Sequence, residues 1–179
     1  MVPHRPYELK EYDPLWRRRF LAAAEELKPI FGDNLVEIEH IGSTSIEGMI
    51  AKPQIDILVV VKKLDVVKDC YESFIRLGYV PRGQGYTRKG DEYFTKDSPE
   101  GNRLVSVHTL QKGNPRIEEY KTFRDYMRVN KKDRELYAST KRDLYASYRD
   151  NYAAYYSGKT GLLDSIQIRA KEWKKRIEE

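Results

Sequence analysis

The segments Glu39-His-Ile-Gly-Ser-Thr-Ser45 and Ala51-Lys-Pro-Gln-Ile-Asp-Ile57 decide the fold of this 179-residue chain. A strand with alternating apolar and charged residues is predicted over residues 35–41, and it ends at the Gly-Ser pair. A loop then leads to a nearly continuous apolar strand, predicted over residues 55–61 as a central strand covered on both faces. Because an unpaired buried carboxylate is costly, Asp56 either faces a ligand or metal at the mouth of this strand or bonds to loop amides.

The loop between the two strands has the chemistry of a phosphate-binding loop. Gly42 allows close approach of the backbone, and Ser43 and Thr44 supply hydroxyl and amide donors that suit phosphate oxygens. Lys52 lies in the same loop and adds a cation for a phosphate contact. The loop therefore predicts a site for a nucleotide or another phosphorylated small molecule.

A Gly-Ser pair followed by Asp-hydrophobic-Asp/Glu resembles the signature of the DNA-polymerase-beta-like nucleotidyltransferase superfamily. In that superfamily the Gly-Ser loop holds a triphosphate and the carboxylates hold two Mg²⁺ ions. Here the second carboxylate position is Leu58. Two-metal chemistry needs several oxygen ligands, which Asp56 alone cannot supply. The resemblance thus implies metal-dependent nucleotidyl transfer with an incomplete carboxylate set, and leaves open whether the chain is an enzyme or a silent binding module.

Within that superfamily, nearly the whole chain resembles the GrpB family. The motifs that carry this resemblance occur in order along the sequence: Glu39 to Ser45 with Glu47-Gly48, Ala51 to Ile57, Val107-His108, Phe123 to Arg128, and Tyr137 with Lys141. The resemblance implies an α/β (α+β) fold, with a nucleotidyltransferase-like mixed β-sheet, flanking helices and a C-terminal helical cap. The same domain is found fused to dephospho-coenzyme-A kinases in some bacteria, which suggests a link to coenzyme A or nucleotide metabolism.

Three histidine and carboxylate positions are candidates for chemistry. Relatives tend to carry His-His-X-His on the late strand, whereas this chain keeps only His108 of that set. His40, Asp56 and His108 could bind one divalent metal such as Mg, Mn or Zn, or could serve with Ser43 as acid–base and nucleophilic groups. The alternative is that both histidines are strand residues bonded to neighbouring backbone.

Three arginines are candidate phosphate ligands. Arg103 begins the strand that carries His108, and Arg124 and Arg128 share one face of a predicted helix at four-residue spacing. The alternative for the helical pair is that it bonds the helix to the sheet edge through Asp or Glu side chains.

The positive charge belongs to the last third of the chain. The formal net charge is +5, but residues 1–111 hold 16 basic and 17 acidic side chains, whereas residues 112–179 hold 17 and 11. A phosphorylated ligand or RNA could bind this region, and tyrosines interleaved with its basic residues could stack on bases. Solvated helix faces and a tyrosine packing seam are the alternatives, since acidic residues are interleaved throughout.

The remaining pattern predicts one domain over residues 1–179, with a sheet body over about 1–112 and a helical part over about 113–179. A single cysteine, Cys70, with no signal peptide favours the cytoplasm, and the longest apolar run is too short to cross a bilayer. The long helices offer a surface for a homodimer. The predicted elements, besides the two strands above, are helices at 14–31, 64–77, 116–129, 131–157 and 162–177 and strands at 79–81, 93–95 and 103–110, with a glycine-rich stretch at 83–90.

Overall fold

The computed structural model describes residues 7–84 and 90–179. Within these ranges the chain forms a five-stranded mixed sheet, helices on both of its faces and a C-terminal group of helices. The elements are α1 (Leu15–Phe31), β1 (Leu35–Ile41), β2 (Ile55–Val61), α2 (Tyr71–Arg76), β3 (Val80–Gln84), β4 (Glu92–Asp97), β5 (Arg103–Gln111), α3 (Pro115–Val129), α4 (Lys131–Ser147), α5 (Tyr152–Gly158) and α6 (Thr160–Glu178).

The strands lie in the order β1-β2-β5-β4-β3. Strand β2 pairs antiparallel with β1 and parallel with β5, so the apolar strand predicted from sequence lies inside the sheet. Its side chains alternate between two cores. Ile57 and Val59 pack with residues of α1, whereas Leu58 and Val60 pack with Ile117 of α3. Asp56 follows the same alternation and faces the α3 side.

The loop after β1 is built into the helical part of the molecule. Ile46 and Met49 pack in a core with Tyr126, Met127 and Ile166 and with other residues of α3, α4 and α6. A 3₁₀ turn at Ser43–Ser45 precedes this segment. The Gly-Ser turn is therefore fixed on one side by the sheet and on the other by the helical core.

An N-terminal segment ties the same loop to α5. Lys10 and Ala51 exchange backbone hydrogen bonds of 2.9 Å in each direction. Tyr7 packs its ring against Tyr145, Tyr152 and Tyr155. This segment therefore joins the loop before β2 to the tyrosine-rich helices.

Several predicted boundaries were wrong. The helix predicted over 131–157 is two helices, because the chain turns at Tyr148 and the Asn151 side chain caps a new helix by accepting a hydrogen bond from the Ala154 N–H. The helix predicted over 64–77 begins as a 3₁₀ turn, Asp65–Cys70, and becomes α-helical only at α2. The two short strands are longer than predicted, and residues 85–89 of the glycine-rich stretch lie outside the described residues. Among the described helices, none has the length and apolar character to span a membrane.

Candidate functional site

A cavity of about 540 Å³ lies between the α3 face of the sheet and the helices that follow it. The loop residues predicted to bind phosphate border it, together with Asp56 at the start of β2. Cations and aromatic rings form the other walls. The residues discussed below that line it are Gly42, Ser43, Thr44, Lys52, Gln54, Asp56, Tyr93, His108, Arg116, Tyr120, Tyr137, Lys141, Tyr152, Tyr155, Tyr156 and Lys159.

Asp56 lies at the strand mouth, as the sequence predicts, and a side-chain amide binds it. Gln54 Nε2 donates hydrogen bonds to Asp56 Oδ1 at 2.6 Å and to Ser106 Oγ at 3.1 Å. The Ser106 hydroxyl also contacts the Tyr93 hydroxyl at 2.9 Å. Gln54 thus bridges β2 and β5 beside the carboxylate, and no sequence pattern had singled it out.

Gly42 is required where the chain crosses Asp56. Its φ is +71°, and a Cβ added there would lie 2.5 Å from Asp56 Oδ2. A side chain at this position would therefore be strained in its backbone and would clash with the carboxylate. This close approach places Ser43 directly beyond Asp56 along the cavity wall.

Ser43 is held by a lysine from α4. Lys141 Nζ donates hydrogen bonds to Ser43 Oγ at 2.7 Å and to the Ile50 carbonyl at 2.8 Å, and it lies 4.2 Å from the centroid of the Tyr137 ring. Tyr137 and Ser43 both line the cavity. Lys141 is only 2% exposed, although lysine is a residue type that is almost never fully buried without an acidic partner.

Two more lysines reach the cavity beside tyrosine rings. Lys52 Nζ donates a 2.7 Å hydrogen bond to the Tyr152 hydroxyl. Lys159 Nζ lies 5.3 Å from the ring centroid of Tyr155 and 5.2 Å from that of Tyr156. Lys52 was predicted as a phosphate contact and is on the cavity wall, whereas Lys159 was missed.

The electrostatics of the cavity favour an anion. Burial, then the charges of Lys159 and Lys52, hold the pKa of Lys141 well below its usual range. Burial also lowers the pKa of Lys159. Asp56 opposes both effects, yet among residues 7–84 and 90–179 no ion pair joins Lys141 or Lys159 to a carboxylate. A negatively charged ligand would offset the cost of keeping Lys159 charged.

His40 is not part of this cavity. It is paired with Ile57 across the β1–β2 ladder, so it faces α1, and its ring stacks on Phe20 with 4.7 Å between centroids. Its Nε2 lies 3.0 Å from Thr44 Oγ1. Burial, then Arg128 and Arg124, lowers the pKa of His40 to about 4. The predicted metal set of His40, Asp56 and His108 is therefore not assembled, because the sheet separates its members.

The arginine pair of α3 lies away from this cavity, so the predicted phosphate clamp is not part of it. Arg124 pairs with Glu39 and donates a 3.1 Å hydrogen bond to the His40 carbonyl. Arg128 donates to the Ser45 carbonyl at 2.8 Å. Both arginines thus bond α3 to β1 and its following loop, which is the alternative that the sequence left open.

Thr44 and Arg103 both form side-chain hydrogen bonds within the protein. The Thr44 hydroxyl borders the cavity but donates to the Gln54 carbonyl at 3.1 Å. Arg103 pairs with Asp97 and donates to the Tyr93 hydroxyl at 3.2 Å, behind the cavity wall. Arg103 therefore supports Tyr93 and does not line the cavity.

His108 does line the cavity, at a distance from the Gly-Ser turn. It pairs with Leu58 in the β2–β5 ladder, so Ser106 and not His108 lies opposite Asp56. Its ring packs between Tyr93 and Tyr120, with centroids 4.8 Å and 5.5 Å away. His108 Nδ1 is buried and makes no hydrogen bond to another described residue.

The donor set does not fit the two-metal site of the nucleotidyltransferase superfamily. Leu58 is completely buried in an apolar cluster with Val60 and Ile117, so packing occupies the position where the superfamily has its second acid. Within the described parts of the chain, no group of three or more His, Cys, Asp or Glu side chains is placed to hold a metal ion. The described side chains therefore do not provide the ligands of a two-metal site.

Comparison with known proteins assigns the chain to a family. The family model described as GrpB protein matches residues 6–169. The chain belongs to the GrpB family. A solved structure of the conserved protein GrpB from Enterococcus faecalis superimposes with a TM-score of 0.87 at 33% identity, covering 93% of this chain and 99% of that one.

One further sequence relative and one solved structure of low sequence identity are also similar to this chain. The UPF0157 protein YqkA of Bacillus subtilis is 37% identical over 98% of this chain, which spans 50% of that protein's length. A crystal structure of the Cid1 poly(U) polymerase bound to MgATP superimposes with a TM-score of 0.54 at 14% identity, covering 77% of this chain and 44% of that one. The predicted nucleotidyltransferase-like mixed α/β fold is thus confirmed.

Two of the cavity lysines illustrate what sequence reasoning missed. Lys141 and Tyr137 were noted in the sequence only as marks of the family. Lys159 is the lysine of the segment Ser157-Gly-Lys-Thr160, which follows a predicted helix and not a strand. A usable signal was present, because Lys141 follows Tyr137 within α4 and Lys159 follows Tyr155 at the end of α5, both at four-residue spacing.

Proposed function

We propose that this chain binds a nucleotide, or another phosphorylated small molecule with a planar ring, in the cavity above Ser43 and Asp56. The observation that carries the proposal is the convergence of Lys52, Lys141 and Lys159 on one cavity, where Lys159 is half-buried and forms no ion pair with a described carboxylate. Phosphate oxygens would accept hydrogen bonds from Lys52 and Lys159, each worth about 1.5–3 kcal/mol when a charged group takes part. Lys141 holds Ser43 at the edge of the same cavity.

The tyrosine rings supply the second half of the ligand site. Tyr152, Tyr155 and Tyr156 lie beside Lys52 and Lys159, so an aromatic ring can stack where a phosphate tail reaches the amines. Stacking of a base on an aromatic side chain contributes about 1–3 kcal/mol. A ligand with both groups, such as a nucleoside polyphosphate, matches the cavity better than inorganic phosphate does.

The names of related proteins agree with this ligand class. Solved structures with a similar fold include Cid1 in complex with the UTP analogue UMPNPP. A dephospho-CoA kinase of Mycobacterium tuberculosis is 28% identical over 96% of this chain, which spans 48% of that protein. Nucleoside triphosphates and coenzyme A are therefore the first ligands to test.

Isothermal titration with ATP, UTP and coenzyme A, each with and without Mg²⁺ or Mn²⁺, tests the proposal. Lys159→Met removes one charge-assisted hydrogen bond, so we expect affinity to fall by about 10-fold or more. Ser43→Ala should also weaken binding, whereas Lys131→Met, at an exposed lysine of α4 that pairs with Glu135, should not. Absence of binding by the wild type to all three ligands would refute the proposal.

RNA binding and metal-dependent nucleotidyl transfer are the weaker alternatives. Many basic residues of the C-terminal helices are neutralised by acids, as in the pairs Lys171–Glu119 and Arg169–Asp133, which leaves less charge for an RNA backbone. A gel shift that weakens steeply with salt would favour RNA instead. Metal-dependent nucleotidyl transfer is the weaker proposal because Leu58 occupies the position of the second carboxylate. The cytoplasmic location remains a prediction.

A further inference from the structure

The Lys141 amine has the surroundings of a general base rather than of an ordinary ion-pair partner. Its Nζ contacts one hydroxyl, Ser43 Oγ, and one carbonyl, that of Ile50. The groups that face it are Lys52, Lys159, Asp56 and Tyr137, and none of the carboxylates in residues 7–84 and 90–179 forms an ion pair with it. A lysine that is desolvated beside other cations is the environment that activates amines in enzymes.

The hydrogen bonds around Nζ suit an uncharged amine. A neutral amine has two N–H donors and one lone pair. One N–H can remain on the Ile50 carbonyl at 2.8 Å. On loss of a proton, the 2.7 Å contact in which Nζ donates to Ser43 Oγ can reverse, so that the lone pair accepts from the Ser43 hydroxyl. Burial and the two neighbouring lysines favour this form over the ammonium form.

Ser43 is open to the cavity, and its base lies behind it. Ser43 is partly exposed and borders the cavity, whereas Lys141 is almost completely buried. The turn that carries Ser43 is braced by a 2.6 Å hydrogen bond from Ser45 Oγ to the Gly42 carbonyl. A substrate, or a water that follows it, can therefore reach the hydroxyl from the cavity, while the amine is shielded from bulk solvent.

We propose that Ser43 and Lys141 form a nucleophile–base pair that accepts the acyl group of a small activated ester or thioester. Ser43 Oγ attacks the carbonyl carbon and its proton passes to Lys141 Nζ. The bond from that carbon to the leaving oxygen or sulfur breaks, and the leaving group takes the proton from Nζ. Water releases the acyl group by the reverse sequence, giving a carboxylic acid and restoring the Ser43 hydroxyl. This activity goes beyond ligand binding and does not rest on the proposed function.

A purely structural role for Lys141 makes a different prediction. A lysine that only anchors the loop acts as a hydrogen-bond donor, and arginine at the same position keeps the charge and the donors. A base must lose its proton, which arginine cannot do in a protein. Lys141→Arg therefore separates the two roles, and Lys131→Arg is the matched control on the exposed face of the same helix.

The experiment treats the full chain with a fluorophosphonate, in which Ser Oγ replaces fluoride on phosphorus, and locates the adduct by mass spectrometry. We expect an adduct on Ser43 whose formation rate rises with pH, and a burst of p-nitrophenol from p-nitrophenyl acetate. Ser43→Ala should abolish both. Lys141→Arg and Lys141→Met should slow adduct formation by about 100-fold or more, while Lys131→Arg reacts like the wild type.

Two results would overturn the inference. One is the absence of a Ser43 adduct in the wild type across the pH range; the other is a Lys141→Arg variant that reacts as fast as the wild type. Circular dichroism on each variant identifies loss of folding, and the pH dependence of labelling in the wild type tests the inference even where a variant does not fold. An ATP titration on the same wild-type sample shows separately whether ligand binding holds.

Discussion

Lys141→Met is expected to change how the stability of this protein depends on pH. In the folded chain, burial and then Lys159 and Lys52 lower the pKa of the Lys141 amine. In the unfolded chain the same amine stays protonated up to about pH 10.4. Between the lowered pKa and that value, the unfolded state binds one more proton than the folded state, so the wild type becomes more stable as the pH rises.

The size of this effect follows from proton linkage. One extra proton on the unfolded state gives a slope of about 1.4 kcal/mol per pH unit in the free energy of unfolding. The methionine variant lacks this slope. It also leaves the Ile50 carbonyl without the 2.8 Å donor, a loss of about 1–3 kcal/mol that does not change with pH. The advantage of the wild type over the variant should therefore grow with pH.

Urea unfolding at a series of pH values from about 7 to about 10 measures this difference, because the other titrating groups are shared and largely cancel. Lys131→Met serves as the control: its side chain is 76% exposed, and its offset from the wild type should be flat across the series. If the difference in free energy of unfolding between the wild type and Lys141→Met also stays constant across the pH series, Lys141 is charged in the folded protein and the reasoning is refuted.

Three further predictions concern stability and specificity. Gly42→Ala should lower the free energy of unfolding by at least about 1–3 kcal/mol, since it combines a positive φ with a clash on Asp56; an unchanged urea midpoint would contradict this. Arg124→Met should lower the free energy of unfolding by about 1.5–3 kcal/mol, because it breaks the contact with Glu39. The affinity for nucleotide, measured by titration, should not change. A large loss of affinity would show that Arg124 takes part in ligand binding. Leu58→Asp should destabilise the protein, most of all above the ordinary pKa of a carboxyl group, because a charged group then enters an apolar cluster. A rise in the melting temperature of this variant on addition of Mg²⁺ would show instead that the new carboxylate helps to bind a metal.

Local patterns were sufficient to predict most of the fold. The alternation in Leu35–Ile41 and the continuous apolar run of Ile55–Val61 gave strands with the predicted bounds. Helix α1 differs by one residue from its predicted start. These elements are set by periodicity and burial within a short window. The break between α4 and α5 was missed because the cap at Asn151 is a local feature inside a pattern that otherwise continues as a helix.

The sequence by itself determined the family, the strand pair and the Gly42–Ser43–Asp56 arrangement, because these depend on residues that are close along the chain. Tertiary structure alone decided which cations join them. Lys141 reaches Ser43 from 98 positions away, while Arg124, which is nearer in sequence, bonds to Glu39 and the His40 carbonyl of β1. A side chain's face depends on register and on helix docking, both of which arise from long-range packing. For that reason the phosphate-binding loop could be predicted from the sequence, whereas the positions of Lys141 and Lys159 beside it could be seen only in the folded chain.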